Sequence, residues 1–90
     1  MGDQARYFIT DIESDGPFPG ENSMLGVASV AVSEDNRIVS EFEVNLQLLP
    51  QASANERTSE FWRANPQAWE YCRRDPKSAE QGMQDFAAWV

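Results

Sequence analysis

The chain contains no histidine, one cysteine, and only 7 basic residues against 15 acidic ones in 90. Each scarcity closes off a class of chemistry. A lone Cys72 excludes an internal disulfide and fits a reducing, cytoplasmic compartment. With no histidine to activate it, Cys72 reads as a small packed residue and not as a nucleophile. No apolar run approaches the ~20 residues of a membrane span. The start, Met1-Gly2-Asp3-Gln4, has neither the basic region nor the apolar stretch of a secretory signal, so none is expected. There is no loop with the Asp/Gly spacing of an EF-hand, which discounts a calcium-binding protein. The net charge of −8 argues against nonspecific binding to nucleic acid through a basic surface. Any phosphate contact must therefore be local, through bound metal or through Arg57, Arg63, Arg73, Arg74 and Lys77 in the second half.

What is present suffices for a small globular unit. Apolar residues make up 41% of the chain and include three tryptophans, too many for a disordered polymer. Ninety residues form one domain or part of one. A chain of this size buries roughly 60–65% of the surface its unfolded form exposes.

The hydrophobic pattern changes period half-way along. Arg6 to Ile12 reads as a strand apolar on both faces, as expected of a central strand. Gly16-Pro17-Phe18-Pro19-Gly20 is a loop. Met24 to Val32 is a second, valine-rich strand, and Ser33-Glu34-Asp35-Asn36 a turn. Ile38 to Leu46 alternates Phe42, Val44 and Leu46 with Glu41, Glu43 and Asn45, which predicts a third strand with one wet face. Short connections favour antiparallel neighbours, hence a three-stranded meander. Helical spacing follows. Thr58 to Ala64 is one helix, and Asn65-Pro66 supplies the cap and first residue of another. Ser78 with Gln81 forms a capping box for a third, whose stripe is Met83, Phe86, Ala87 and Val90. That helix has a start signal and no stop signal, so the expected architecture is α/β and incomplete: the N-terminal part of a single larger domain.

The most informative residues are Asp11-Ile12-Glu13. In a strand, side chains at i and i+2 share a face, so these carboxylates stand side by side, roughly 7 Å apart. Two carboxylates so close repel unless a cation lies between them or one is protonated. A hard, oxygen-preferring ion such as Mg²⁺ or Mn²⁺ is the natural neutraliser.

The segment Phe8-Ile9-Thr10-Asp11-Ile12-Glu13-Ser14-Asp15-Gly16 resembles the first motif of the DEDD superfamily of 3′–5′ exonucleases, the proofreading type with a ribonuclease H-like fold. Asp11, Glu13, Ser14 and Gly16 match that motif, and the order of strands and helices matches as well. Thr58-Ser59-Glu60-Phe61-Trp62 with Ala68-Trp69 is similar to the helical segment of a small bacterial and phage branch of 3′–5′ exoribonuclease-like proteins. The likeness spans most of the chain but only about the first half of the family's domain.

The resemblance implies a two-metal site acting on the 3′ ends of single-stranded RNA or DNA. Asp11 would bridge both ions. Glu13 would hold one and orient the water. Ser14 would lie near the 3′ end, with Met24 and Leu25 wedged against the terminal base. It also implies a second Asp, a third Asp and a His or Tyr base, which these residues do not supply. Asp85 lies in a helical pattern with no strand before it and is not assigned to that role. The expectation is a chain weakly active or inactive alone. The alternative is a non-catalytic binding or assembly module, including a homo-oligomer in which two copies complete each other's sheet.

Overall fold

The structure is a computed structural model that describes residues 5–90. Three strands come first: β1 (Ala5–Ser14), β2 (Met24–Ser33) and β3 (Ile38–Asn45). Three helices follow: α1 (Glu56–Ala64), α2 (Pro66–Cys72) and α3 (Ala79–Trp89). The strands form one antiparallel sheet in the order β1-β2-β3, the expected meander of an α/β chain. No helix is long and apolar enough to cross a membrane among the described residues.

Local chemistry accounts for the connections. The β2–β3 turn places Asn36 at φ 64°, a left-handed conformation that Asn tolerates better than most residues. Its N–H donates to the Ser33 carbonyl at 3.0 Å. The longer β1–β2 loop is tied down by Asp15 and Asn22. Buried Asp15 accepts the Ser23 N–H at 2.6 Å, and Asn22 donates to the Ser53 carbonyl at 2.7 Å. Asn55 caps α1 by accepting the Thr58 N–H at 3.1 Å, and Ser78 caps α3 by accepting that of Gln81 at 3.1 Å. Only half of the expected capping box closes, because the Gln81 side chain bonds Asp85 instead. Asn65 precedes Pro66 as expected but makes no side-chain cap; its amide donates back to the Phe61 carbonyl at 2.7 Å.

Two small cores lie on opposite faces of the sheet. On one face Val27, Val44 and Leu46 pack with Phe42 and Phe86. The helix α3 approaches closely there because Gly82 has no side chain; a Cβ on it would stand 2.3 Å from Leu46 Cδ2. Phe8, Phe42, Phe86 and Trp89 extend this core as ring pairs 5.4–6.1 Å apart. On the other face Leu25, Trp62 and Cys72 cluster with Trp69 under α1 and α2. The Trp62 indole N–H donates to the Ser14 carbonyl at 2.9 Å, which fixes α1 to the end of β1.

Three expectations need correcting. β1 is an edge strand, not a central one: Tyr7, Ile9 and Ile12 are 45–58% exposed. Apolarity on both faces of a strand signals a tendency to be buried, and no described element lies beside its outer edge to bury it. The packed side of α3 is Gly82, Phe86 and Trp89, while Met83, Ala87 and Val90 are exposed. The helix seats on its glycine, and the Trp89 indole donates to Ser40 Oγ at 2.8 Å, which sets its rotation. Arg73, one of the candidates for a local phosphate contact, is turned inward. It donates to the carbonyls of Leu25 (3.0 Å) and Leu46 (2.6 Å) and stacks over Trp69 at 5.5 Å.

Candidate functional site

The regular pairing of β1 with β2 sets Asp11 opposite Ala28 and Glu13 opposite Gly26. The pairing of β2 with β3 then sets Glu43 opposite Ala28. Directly opposed residues share a face, so all three carboxylates rise from the same side of the sheet. Gly26 and Ala28, between them, are too small to fill the space. The result is a cleft of about 330 Å³ with Asp11 and Glu13 on one wall and Glu43 on the other. Phe61, Trp62, Ala68, Tyr71 and Cys72 close its helical end.

Asp11 and Glu13 are exposed, and among the described residues neither has a basic partner. Asp11 Oδ1 accepts the N–H of Ile12 at 3.0 Å, which holds the carboxylate at the strand surface. Across the cleft the Tyr71 hydroxyl donates to Glu43 Oε1. That hydrogen bond, and the charge behind it, push the Tyr71 hydroxyl above the usual tyrosine range. Burial raises the Cys72 thiol, and the negative charges of Glu13 and Glu43 add to the effect. Cys72 is thus a buried wall of the cleft, the packed residue that the sequence suggested, and its thiol holds its proton more tightly than a free one. Of the basic residues in the second half, Arg73 is committed to carbonyls and Arg63 pairs with Glu56 at 3.6 Å. Arg74 stacks over the ring of Tyr71, a residue of this rim, at 5.6 Å.

The other residues singled out in the sequence are not gathered here. Ser14 uses its hydroxyl to donate to the Gly16 carbonyl at 3.0 Å and its own carbonyl to hold Trp62. Ser14 and Met24 line a second, larger cavity of about 460 Å³, formed with the β1–β2 loop and with Met83 of α3. Leu25 is fully buried against Trp62 and Cys72 and has no surface to offer a base. Met24, 36% exposed, is the member of the pair open to solvent. Two residues that sequence reasoning passed over do face the carboxylates. Glu43 reads as a wet strand face, and only its cross-strand alignment with Ala28 and Asp11 places it opposite them. Phe61, 55% exposed beside a buried Trp62, figures in the sequence only as part of the segment that carries the resemblance, with no role of its own.

Two carboxylates, with a third across the gap and no basic partner for the pair among the described residues, form an acidic surface of oxygen donors, the donor type that hard divalent ions take. Among the described residues, however, no set of three His, Cys, Asp or Glu side chains converges on one point that a metal could occupy. The chain matches no family model, no curated protein and no solved structure.

Proposed function

We propose that the Asp11–Glu13 cleft is half of a metal-dependent phosphodiesterase site, of the 3′–5′ exonuclease type, in a ribonuclease H-like domain. One observation carries this reading. Both carboxylates of the Asp-x-Glu pair, at the end of a strand, line one cleft without a basic partner and face exposed aromatic rings. Mg²⁺ fits such a donor set because it is commonly held by one or two carboxylates, with water and substrate phosphate completing its octahedron. Asp11 and Glu13 would hold the ion. Bound metal of this kind supplies an activated water and charge neutralisation at the scissile phosphate.

The chain's own residues account for the rest of the substrate end. The Gly26–Ala28 floor leaves space for a sugar-phosphate unit. Phe61 and Tyr71 offer ring faces for nucleobases, a contact tolerant of base identity. Arg74 gives the rim a positive charge that the overall −8 withholds elsewhere. The substrate is then the 3′ end of single-stranded RNA or DNA. The family's other metal carboxylates and its base are not among these residues, so the chain alone is weakly active or inactive.

Titration with MnCl₂ by calorimetry tests the site directly. Saturable binding is expected, weakened about tenfold or more by Asp11→Asn or Glu13→Gln, since each removes a charged ligand. Equal binding in wild type and both variants would overturn the assignment. Rapid, Mn²⁺-dependent shortening of a 5′-labelled oligonucleotide by the chain alone would overturn its inactivity but not the site.

A further inference from the structure

We propose, on the metal-site reading of the Asp11–Glu13 cleft, that Glu43 reads the sugar of the bound nucleotide. Its carboxylate, positioned by Tyr71, accepts a hydrogen bond from the ribose 2′-hydroxyl and selects RNA ends over DNA ends and over 2′-O-methylated ends. Glu43 is the wall of the cleft to which the metal reading gives no role.

Register puts Glu43 in line with the proposed ion. Asp11 pairs with Ala28 and Ala28 with Glu43, so the three form one cross-strand row. The ends of the row stand two strand spacings apart, roughly 9–10 Å between Cα atoms. Ala28, in the middle, puts only a methyl group into the gap. The two end carboxylates are held differently. Asp11 accepts the N–H of its own neighbour, Ile12. Glu43 is held from across the fold, by the hydroxyl of Tyr71, 28 residues away. No Lys or Arg among the described residues pairs with Glu43. A strand residue that merely faced solvent would not need such a tether.

The chemistry of the carboxylate narrows what can meet it. An ionised carboxylate is an acceptor only, with roughly four lone-pair sites, and Tyr71 fills one of them. It repels phosphate and turns away carbonyl and ether oxygens, so its partner must carry a donor. In a nucleotide whose phosphate sits on an ion at Asp11 and Glu13, the sugar is bonded directly to that phosphate. The sugar then lies along the row toward Glu43. The base lies off the row, toward Phe61 and Tyr71 at the helical end. The donors that a sugar offers are its hydroxyls, and the 2′-hydroxyl is the one that tells RNA from DNA. A carboxylate makes the same contact to ribose in dinucleotide-binding folds. A 2′-O-methyl group sets an acceptor against an acceptor. Tyr71 acts through Glu43 and is a positioning residue: without its hydroxyl the Glu43 side chain, at an exposed position, is free to turn to solvent.

Calorimetric titration of the chain in saturating MnCl₂ tests the assignment, with 5′-AMP, its 2′-deoxy and 2′-O-methyl forms, and 5′-UMP as probes. AMP is expected to bind about tenfold more tightly than either modified form, the worth of one hydrogen bond to a charged group. Glu43→Ala is expected to bring that ratio close to one. Tyr71→Phe, which keeps the ring, should bring it part of the way and add nothing in the double variant. A merely structural role would weaken all the nucleotides alike and leave the ratio in place. Equal affinity for AMP and its 2′-deoxy form in wild type, or a ratio that survives Glu43→Ala, would overturn the proposal while leaving the metal site standing. A preference that follows the base, AMP over UMP whatever the sugar, would give Glu43 to a base amine and overturn it too. No Mn²⁺-dependent binding of any nucleotide would overturn the reading of the cleft and this proposal with it.

Discussion

The two faces of the sheet are built by opposite rules. The α3 face is filled: Leu46, Val44 and Val27 meet Gly82 and a group of four aromatic rings, and the helix approaches as near as a missing side chain allows. The cleft face is emptied: a glycine and an alanine form its floor, and three exposed carboxylates stand around it with no cation to neutralise them. The first arrangement lowers the free energy of the folded state. The second leaves charge repulsion in place, which the proposed ion would relieve. The opening is local: beside it, on the same face, Leu25, Trp62 and Cys72 still pack with Trp69 under α1 and α2.

Substitutions can break or sharpen that division. The largest effect is expected on the filled face. Leu46→Ala removes a side chain only 1% exposed and should lower the unfolding free energy by about 2–5 kcal/mol, measured by urea denaturation. Next is Gly82→Ala, whose new methyl group collides with Leu46; a loss of about 1–3 kcal/mol is expected from overpacking. A gain of about 1 kcal/mol, the full helix preference of Ala over Gly, would mean that α3 does not seat where the structure puts it. On the emptied face, Asp11→Asn combined with Glu13→Gln should leave stability within the ~0.5 kcal/mol spread of surface changes, or raise it slightly. A large loss there, by the same denaturation, would show the carboxylates to be structural. The smallest effect concerns Tyr71. Its folded-state hydroxyl is held above the ordinary value of 10.0 by Glu43, so its contribution to stability is complete below that value. The contribution is lost as pH climbs through the raised value. Absorbance titration in a Tyr7→Phe background should show a high transition that Glu43→Gln brings down.

The elements themselves were largely legible in the residues. Val-rich β2, alternating β3, the Asn36 turn and the Asn55, Pro66 and Ser78 starts are all local chemistry, and local chemistry is what a sequence displays. The carboxylate pair was legible for the same reason, since a two-residue spacing in a strand defines a shared face. What lay hidden depends on neighbours. The position of β1 at an edge depends on which strands stand beside it, which its own composition cannot report. Glu43 joins the cleft through register across two strands. Arg73 looked like a solvent-facing residue because its two acceptors are 27 and 48 positions away. The rotation of α3 was missed because a glycine contributes nothing to an apolar stripe yet decides where the helix touches.

Arg73 also governs how the molecule comes apart. Its guanidinium joins a carbonyl in β2 to one just past β3 from a position at the end of α2, with Trp69 beneath it. A helix of seven residues would ordinarily fray on its own. Here fraying would strand the Leu46 carbonyl, leave that of Leu25 with the Leu46 N–H alone, and withdraw a charged donor from between the strands, so the short helix and the strand ends it bridges should open together. Amide protons in the second turn of α2 should therefore exchange with solvent at the pace of the neighbouring β2 and β3 amides. In Arg73→Met the helical amides should exchange much faster and the two rates separate.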